Sequence, residues 1–136
     1  MSRYPADEQS LRGLSDRAAV SDVVLGFARS LDIKDWEASR HCFPDEIETD
    51  YSDLRGEPPS RVKADDFVAK RRAALERLKT LHLSTNHLVT VDGDRATCVS
   101  AAVIHRLLQW GRGYPPRARI FCAPTKPETK FSWRDT

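Results

Sequence analysis

Leu81-His82-Leu83-Ser84-Thr85-Asn86-His87 runs into Val89-Thr90-Val91-Asp92-Gly93-Asp94, and the reading of this stretch decides the fold. Apolar and polar residues alternate along it, the signature of a strand whose two faces meet different surroundings. Asp92-Gly93 is a hairpin signal, so a second strand is expected from Asp94 onward. With Asp92 and Gly93 as the loop, Asn86 faces Val99, Ser84 faces Ala101 and His82 faces Val103. Cross-strand partners share a face, so His82, Ser84, Asn86, Val99, Ala101 and Val103 are expected to line one surface. His105, two residues past Val103, joins that side, and His87 has the opposite parity and points away. A single β-bulge would break this register.

Working upstream, Ser15 is a plausible N-cap for a helix running to about Ile33. Val20, Val23, Val24, Phe27, Ala28 and Leu31 recur at three- and four-residue steps and form one apolar stripe. Asp32 stands at the end of that stripe. A short second helix is expected from Asp35 to near Phe43-Pro44, then a strand over Glu46 to Tyr51 with Ile47, Thr49 and Tyr51 on one side. Arg55-Gly56-Glu57-Pro58-Pro59 reads as a loop. Ala64 to Lys79 reads as a further helix, with Phe67, Val68, Ala74, Leu75 and Leu78 inward. Residues 1–13 read as a loose arm. Beyond Gly111, prolines interrupt the pattern, and Arg117 to Cys122 with Thr129 to Arg134 are expected to form a last hairpin around Pro124 to Pro127. The whole, residues 1–136, reads as one α+β domain: a cone-shaped, curved antiparallel sheet wrapped over a long N-terminal helix.

Composition narrows the function classes. The 136 residues carry 22 basic and 20 acidic side chains, a net charge of +2, which supplies no bulk attraction for nucleic acid. Cys42, Cys98 and Cys122 are odd in number and widely spaced, so neither a disulfide framework nor a zinc motif is implied. No apolar run approaches the ~18 residues of a membrane span. The N-terminal residues lack the apolar core of a signal peptide, and a cytoplasmic, reduced protein is expected.

The chemistry centres on Asp32 and His82. A carboxylate packed against Ala28 and Leu31 needs a partner or a proton, because unpaired burial costs several kcal/mol, roughly. An imidazole facing inward from the sheet answers that need, and it gains basicity and a fixed tautomer in return. Such a histidine is suited to removing a proton from carbon next to a carbonyl or β to a leaving group. Tyr51 is placed to donate a hydrogen bond to the oxygen that develops charge. Singly, each of these residues also has an ordinary structural role, as cap, core or packing residue; the case rests on their combination. Phe27, Leu31, Ser84, Asn86, Val99, Ala101 and Val103 are the expected pocket lining.

Three segments, Leu31-Asp32-Ile33-Lys34-Asp35-Trp36, His82-Leu83-Ser84-Thr85-Asn86-His87 and Val91-Asp92-Gly93-Asp94-Arg95-Ala96, resemble the SnoaL-like polyketide cyclase/dehydratase group. That group is part of the nuclear-transport-factor-like superfamily, whose fold is cystatin-like and whose members include scytalone dehydratase, hexachlorocyclohexane dehydrochlorinase and ketosteroid isomerase. The resemblance spans roughly residues 14–107. It implies a catalytic pair at Asp32 and His82, with Tyr51 and His105 as counterparts of a pocket tyrosine and a second histidine. Leu31 stands where scytalone dehydratase has a further tyrosine. The tail after Gly113-Tyr114 departs from the group's usual hairpin, and Arg117 and Arg119 match an arginine of the dehydrochlorinase by proximity only.

Taken together, these readings lead to a lyase or isomerase acting on a hydrophobic, ring-bearing or polyketide-like small molecule. His82 is expected as general base, Asp32 as its orienting partner, and Tyr51 with His105 as polarising groups. No metal and no organic cofactor are expected, and neither nucleic acid nor a membrane is expected as a partner. The resemblance also implies a homodimer through the outer sheet face. Two alternatives use the same fold without this chemistry: a small-molecule-binding module, and a structural subunit resembling the β chain of ring-hydroxylating dioxygenases.

Overall fold

The computed structural model describes residues 8–108 and 129–134 of the chain. Its first element, α1 (Glu8–Ile33), begins at Glu8 and not at Ser15, so much of the expected loose arm is helical. Glu8, Gln9, Leu11 and Arg12 are good helix formers, and Ser15 lies inside the helix instead of capping it. A second helix, α2 (Trp36–His41), is capped by Asp35, whose carboxylate accepts the Ala38 N–H at 2.9 Å. It packs against α1 through two buried serines, Ser30 and Ser39, with their hydroxyls 2.7 Å apart. Small side chains at this crossing let the two helices approach closely.

Strand β1 (Glu46–Tyr51) pairs antiparallel with β2 (Glu57–Lys63), and the short helix α3 (Ser52–Arg55) lies between them. The expected loop over Arg55 to Pro59 is therefore largely strand. Its prolines are accommodated at an irregularity: the pairing steps from Thr49 with Ser60 to Tyr51 with Glu57. Pro58 and Pro59 fall in the gap, where a missing N–H removes no ladder bond. Helix α4 (Ala64–Leu75) stops short of Lys79, because β3 (Leu78–Asp92) has already begun.

Strands β3, β4 (Arg95–Leu108) and β5 (Thr129–Arg134) form a three-stranded antiparallel sheet in that order, separate from the β1–β2 pair. The sheet is not closed. The strand expected over Thr129 to Arg134 pairs with β4 from Arg95 to Ser100, while its expected partner, Arg117 to Cys122, lies outside the described residues.

The β3–β4 register corrects the sequence reading twice. Asp92 pairs with Arg95, so the loop is Gly93-Asp94. Gly93, with φ +60°, takes the left-handed first position of the turn, a place that favours glycine over aspartate. This moves the pairing by two residues and leaves the faces unchanged. The second correction reverses them. A bulge lies between Thr85 and Leu88, with Asn86 at φ +55°, and before it Ser84 pairs with Ala102 and His82 with Ile104. Val99, Ala101 and Val103 pair with Leu88, Thr85 and Leu83, on the face turned away from α1. His105 pairs with Leu81 on that same outer face, and it is His87 that turns inward.

The inner face of β3 and β4 lies over α1, and the buried apolar residues concentrate there and beneath α4. Leu31, Val68, Leu75 and Cys98 are each at most 6% exposed. Phe27, Phe43 and Phe67 meet edge-on or tilted, with ring centroids 4.9–6.3 Å apart, and join α1 to α4. Arg40 ties α2 to α4 through Asp65 at 2.6 Å and also holds Asp45 at 2.7 Å.

Candidate active site

Asp32 is delivered by the last turn of α1. The helix closes with Lys34 in the left-handed region, φ +62°, and the Asp35 N–H returns to the Ser30 carbonyl at 2.9 Å. A lysine in that conformation costs about 1–2 kcal/mol relative to the right-handed one. Its side chain folds back in return: Nζ donates to the Leu31 carbonyl at 2.9 Å and to Thr80 Oγ1 at 3.1 Å. Trp36 flanks it, with Nζ 6.0 Å from the ring centroid.

A carboxylate at a helix C-terminus faces the negative end of the helix dipole, so Asp32 needs donors. It has three. The His82 backbone N–H donates to Oδ2 at 2.8 Å, the Thr80 hydroxyl donates to Oδ1 at 2.8 Å, and His82 Nδ1 lies 2.6 Å from Oδ1. The direction of the Thr80 bond follows from Lys34: an ammonium only donates, so Oγ1 accepts from Nζ and commits its own hydrogen to Asp32. Burial by itself pushes the Asp32 carboxyl up. The amide and ring of His82, the Thr80 hydroxyl and the charge interaction with His82 together outweigh it and hold the group below the ordinary carboxylate range. Burial pulls the Lys34 ammonium down, with attraction from Asp32 opposing it.

An ionised Asp32 can only accept, so His82 Nδ1 carries the hydrogen in this pair. Nε2 of the neutral ring then presents a lone pair and has no hydrogen-bond partner among the described residues. The side chains of His82 and Asp32 are 11% and 16% exposed, which limits competition from water while leaving a path to the ring.

The other expected residues are placed as follows. Ser84 shares the inner face with His82 and is hydrogen-bonded to His87 at 2.8 Å. Phe27 and Leu31 lie on α1 near Asp32, in the aromatic cluster and the core respectively. Tyr51 ends β1, where its hydroxyl accepts from Arg71 Nη2 at 2.5 Å and the guanidinium carbons of Arg55 and Arg71 stand 4.9 and 5.4 Å from its ring centroid. Asn86 is exposed at the bulge, and Val99, Ala101, Val103 and His105 belong to the outer face, so the bulge removes all five from the expected lining. Ala102 and Ile104 stand opposite Ser84 and His82 in their stead.

Local pattern assigns no role to Thr80, Lys34 or Ser21, and it turns His87 outward where the structure has it inward. Thr80 was within reach, because it has the parity of His82. His87 had one hint: asparagine tolerates left-handed backbone, and an Asn inside a strand is a bulge signal. Lys34 carried no local sign of its role. A groove of about 380 Å³ lies beside the middle of α1, between Ala19, Val20, Val23, Cys42 and the β3–β4 turn, and neither Asp32 nor His82 lines it. Among the described residues no group of three or more His, Cys, Asp or Glu is arranged to hold a metal ion. No described helix is long and apolar enough to cross a membrane.

A family model described as a SnoaL-like domain matches residues 12–121. Among solved structures, the Kfla4162 protein from Kribbella flavida is similar at 29% identity, over 71% of this chain and 67% of that one, with a TM-score of 0.66. A variant of Rv3472, a protein of unknown function from Mycobacterium tuberculosis, is similar at 21% identity, over 69% of this chain and 56% of that one, with a TM-score of 0.59. No protein of curated function matches the chain.

Proposed function

Because the chain belongs to the SnoaL-like domain family, we propose that it is a small-molecule lyase or isomerase that works by proton transfer within the Asp32–His82 pair. The observation that carries this reading is the 2.6 Å contact between His82 Nδ1 and Asp32 Oδ1, with Nε2 left as a free base. His82 Nε2 takes a proton from carbon adjacent to a carbonyl or β to a leaving group. Asp32 fixes the tautomer and stabilises the imidazolium that forms. Tyr51 accepts from Arg71 and so keeps its own hydrogen; the role assigned to it is a hydrogen bond to a leaving oxygen. The substrate class that suits the fold is a hydrophobic, cyclic or polyketide-like compound. His105, on the outer face, has no part in this chemistry.

The same reading includes a homodimer. Leu81, Leu83, Leu88, Val103 and Leu107 are each more than 40% exposed on the outer sheet face, an apolar surface of the kind a second subunit covers. Cys42 and Cys98 are free thiols, in keeping with a cytoplasmic setting.

The test is solvent-deuterium exchange into a panel of cyclic enolisable ketones, followed by proton NMR. Wild-type protein should accelerate exchange at the carbon next to the carbonyl, and His82→Gln should not. A panel with no member accelerated by wild type removes the proton-transfer reading and leaves a binding module.

A further inference from the structure

A second hydrogen-bonded set on the inner face of β3 makes no contact with the Asp32–His82 pair. The bulge at Asn86 turns His87 inward, and hydroxyls hold its ring at both nitrogens. Nδ1 lies 2.6 Å from Ser21 Oγ on α1, and Nε2 lies 2.8 Å from Ser84 Oγ. Ser84 is two residues from His82 on the same face, about 7 Å along the strand. Helix and strand keep the two sets in step. Ser21 to Asp32 is roughly 16 Å along α1, and His82 to His87 is also roughly 16 Å along β3. Thr80, His82, Ser84 and His87 thus make a continuous polar row where an apolar strand face would pack against the helix more favourably.

The hydrogens of this set can be counted. A neutral imidazole between two hydroxyls has three hydrogens and two bonds to fill, so one hydrogen is left over. With the ring hydrogen on Nδ1, the ring donates to Ser21, and Ser84 commits its own hydrogen to Nε2. With the ring hydrogen on Nε2, Ser21 donates to Nδ1 and the ring donates to Ser84. The Ser84 hydrogen is then free for a third partner on the face it shares with His82.

We infer that Ser84 binds the substrate oxygen conjugated to the carbon that His82 deprotonates, and that His87 and Ser21 are positioning residues that hold Ser84 in its donating arrangement. This rests on the proton-transfer reading for His82, but its own content is the hydrogen bond from Ser84. The ligand class is a planar, enolisable carbonyl compound whose acidic C–H and oxygen belong to one conjugated unit. The C–H bond breaks, the proton goes to His82 Nε2, and the electron pair moves through the conjugated carbons to the oxygen. The Ser84 hydrogen bond strengthens there as the charge develops. No oxidant or reductant is involved.

The experiment compares para-nitrophenolate, a planar oxyanion, with para-nitroanisole, its neutral counterpart without a charged oxygen, by absorbance titration. Wild type should prefer the phenolate. Ser84→Ala should lose about 10-fold in phenolate affinity while its nitroanisole affinity stays within about twofold, the scale of one hydrogen bond to a charged oxygen. His87→Leu should shift the same ratio less, with circular dichroism reporting whether the fold is retained. Equal losses for both probes, an unchanged phenolate affinity, or a wild type that binds neither would overturn the inference. The deuterium-exchange result separates the two proposals. Exchange together with an unchanged probe ratio removes Ser84 and keeps His82 as base; a selective phenolate loss without exchange does the reverse.

Discussion

Asp32 holds His82 twice: Oδ1 meets the ring at Nδ1, 2.6 Å away, and Oδ2 accepts the backbone N–H of the same residue at 2.8 Å. One carboxylate therefore sets both the strand position and the tautomer of the proposed base. Helix end and strand are locked at the point where chemistry is proposed, and the side-chain geometry does not depend on a flexible loop.

With a competent substrate, His82→Gln should lower kcat by at least ~100-fold, the usual scale for loss of a general base. Asp32→Asn should cost a similar amount or less, since it keeps the shape and removes the charge that stabilises the imidazolium. Steady-state kinetics paired with thermal melts checks both, and near-wild-type turnover by a well-folded His82→Gln variant would remove His82 as the base.

Asp32→Asn should also destabilise the fold by about 1–3 kcal/mol near neutral pH, because an amide NH2 group set against the His82 N–H leaves a buried donor unpaired. The pH dependence has a definite sign. The folded-state carboxyl is depressed, so the unfolded chain takes up the proton first as pH falls. The stabilisation is complete above the ordinary carboxylate range and drains away as pH drops through the depressed folded value. Urea unfolding across acid pH should show wild type and Asp32→Asn converging; a gap that stays constant down to strongly acid pH would contradict this account.

Lys34 separates backbone strain from side-chain contacts. Lys34→Ala keeps the left-handed φ of +62° and loses both Nζ bonds, so it should destabilise. Lys34→Gly loses the same bonds but relieves the strain, and should be more stable than the alanine variant by about 1 kcal/mol. Chemical denaturation of the two variants measures the difference directly, and equal stabilities would mean that the helix end relaxes out of the left-handed region.

If the outer sheet face is the dimer surface, Leu83→Glu should give a folded monomer by light scattering at concentrations where wild type is dimeric. A charge buried at an apolar contact costs several kcal/mol, roughly. An oligomeric state that does not change in Leu83→Glu would place the interface elsewhere.

Much of the fold is legible in local pattern. The long first helix, the alternation from Leu81 to Thr85 and the short helix after Asp35 each depend on near neighbours, and each appears where its spacing puts it. The pairing of Asp32 with His82 was also readable, because a helix-end carboxylate and an inward strand imidazole need only the helix to lie on the sheet. Thr80 obeys the same parity, and so it too was determined locally.

What the sequence could not decide by itself is register. A strand alternates with period two, so one inserted residue exchanges its faces, and whether the residue is inserted depends on partners far along the chain. Asn86 tolerates the left-handed turn, but Ser21, 66 positions before His87 and on another element, supplies the hydroxyl that meets the inward imidazole. Local propensity made the bulge possible, and packing of α1 against β3 selected it. That selection turned His105 outward and His87 inward, and put Ala102 and Ile104 where Ala101 and Val103 were expected.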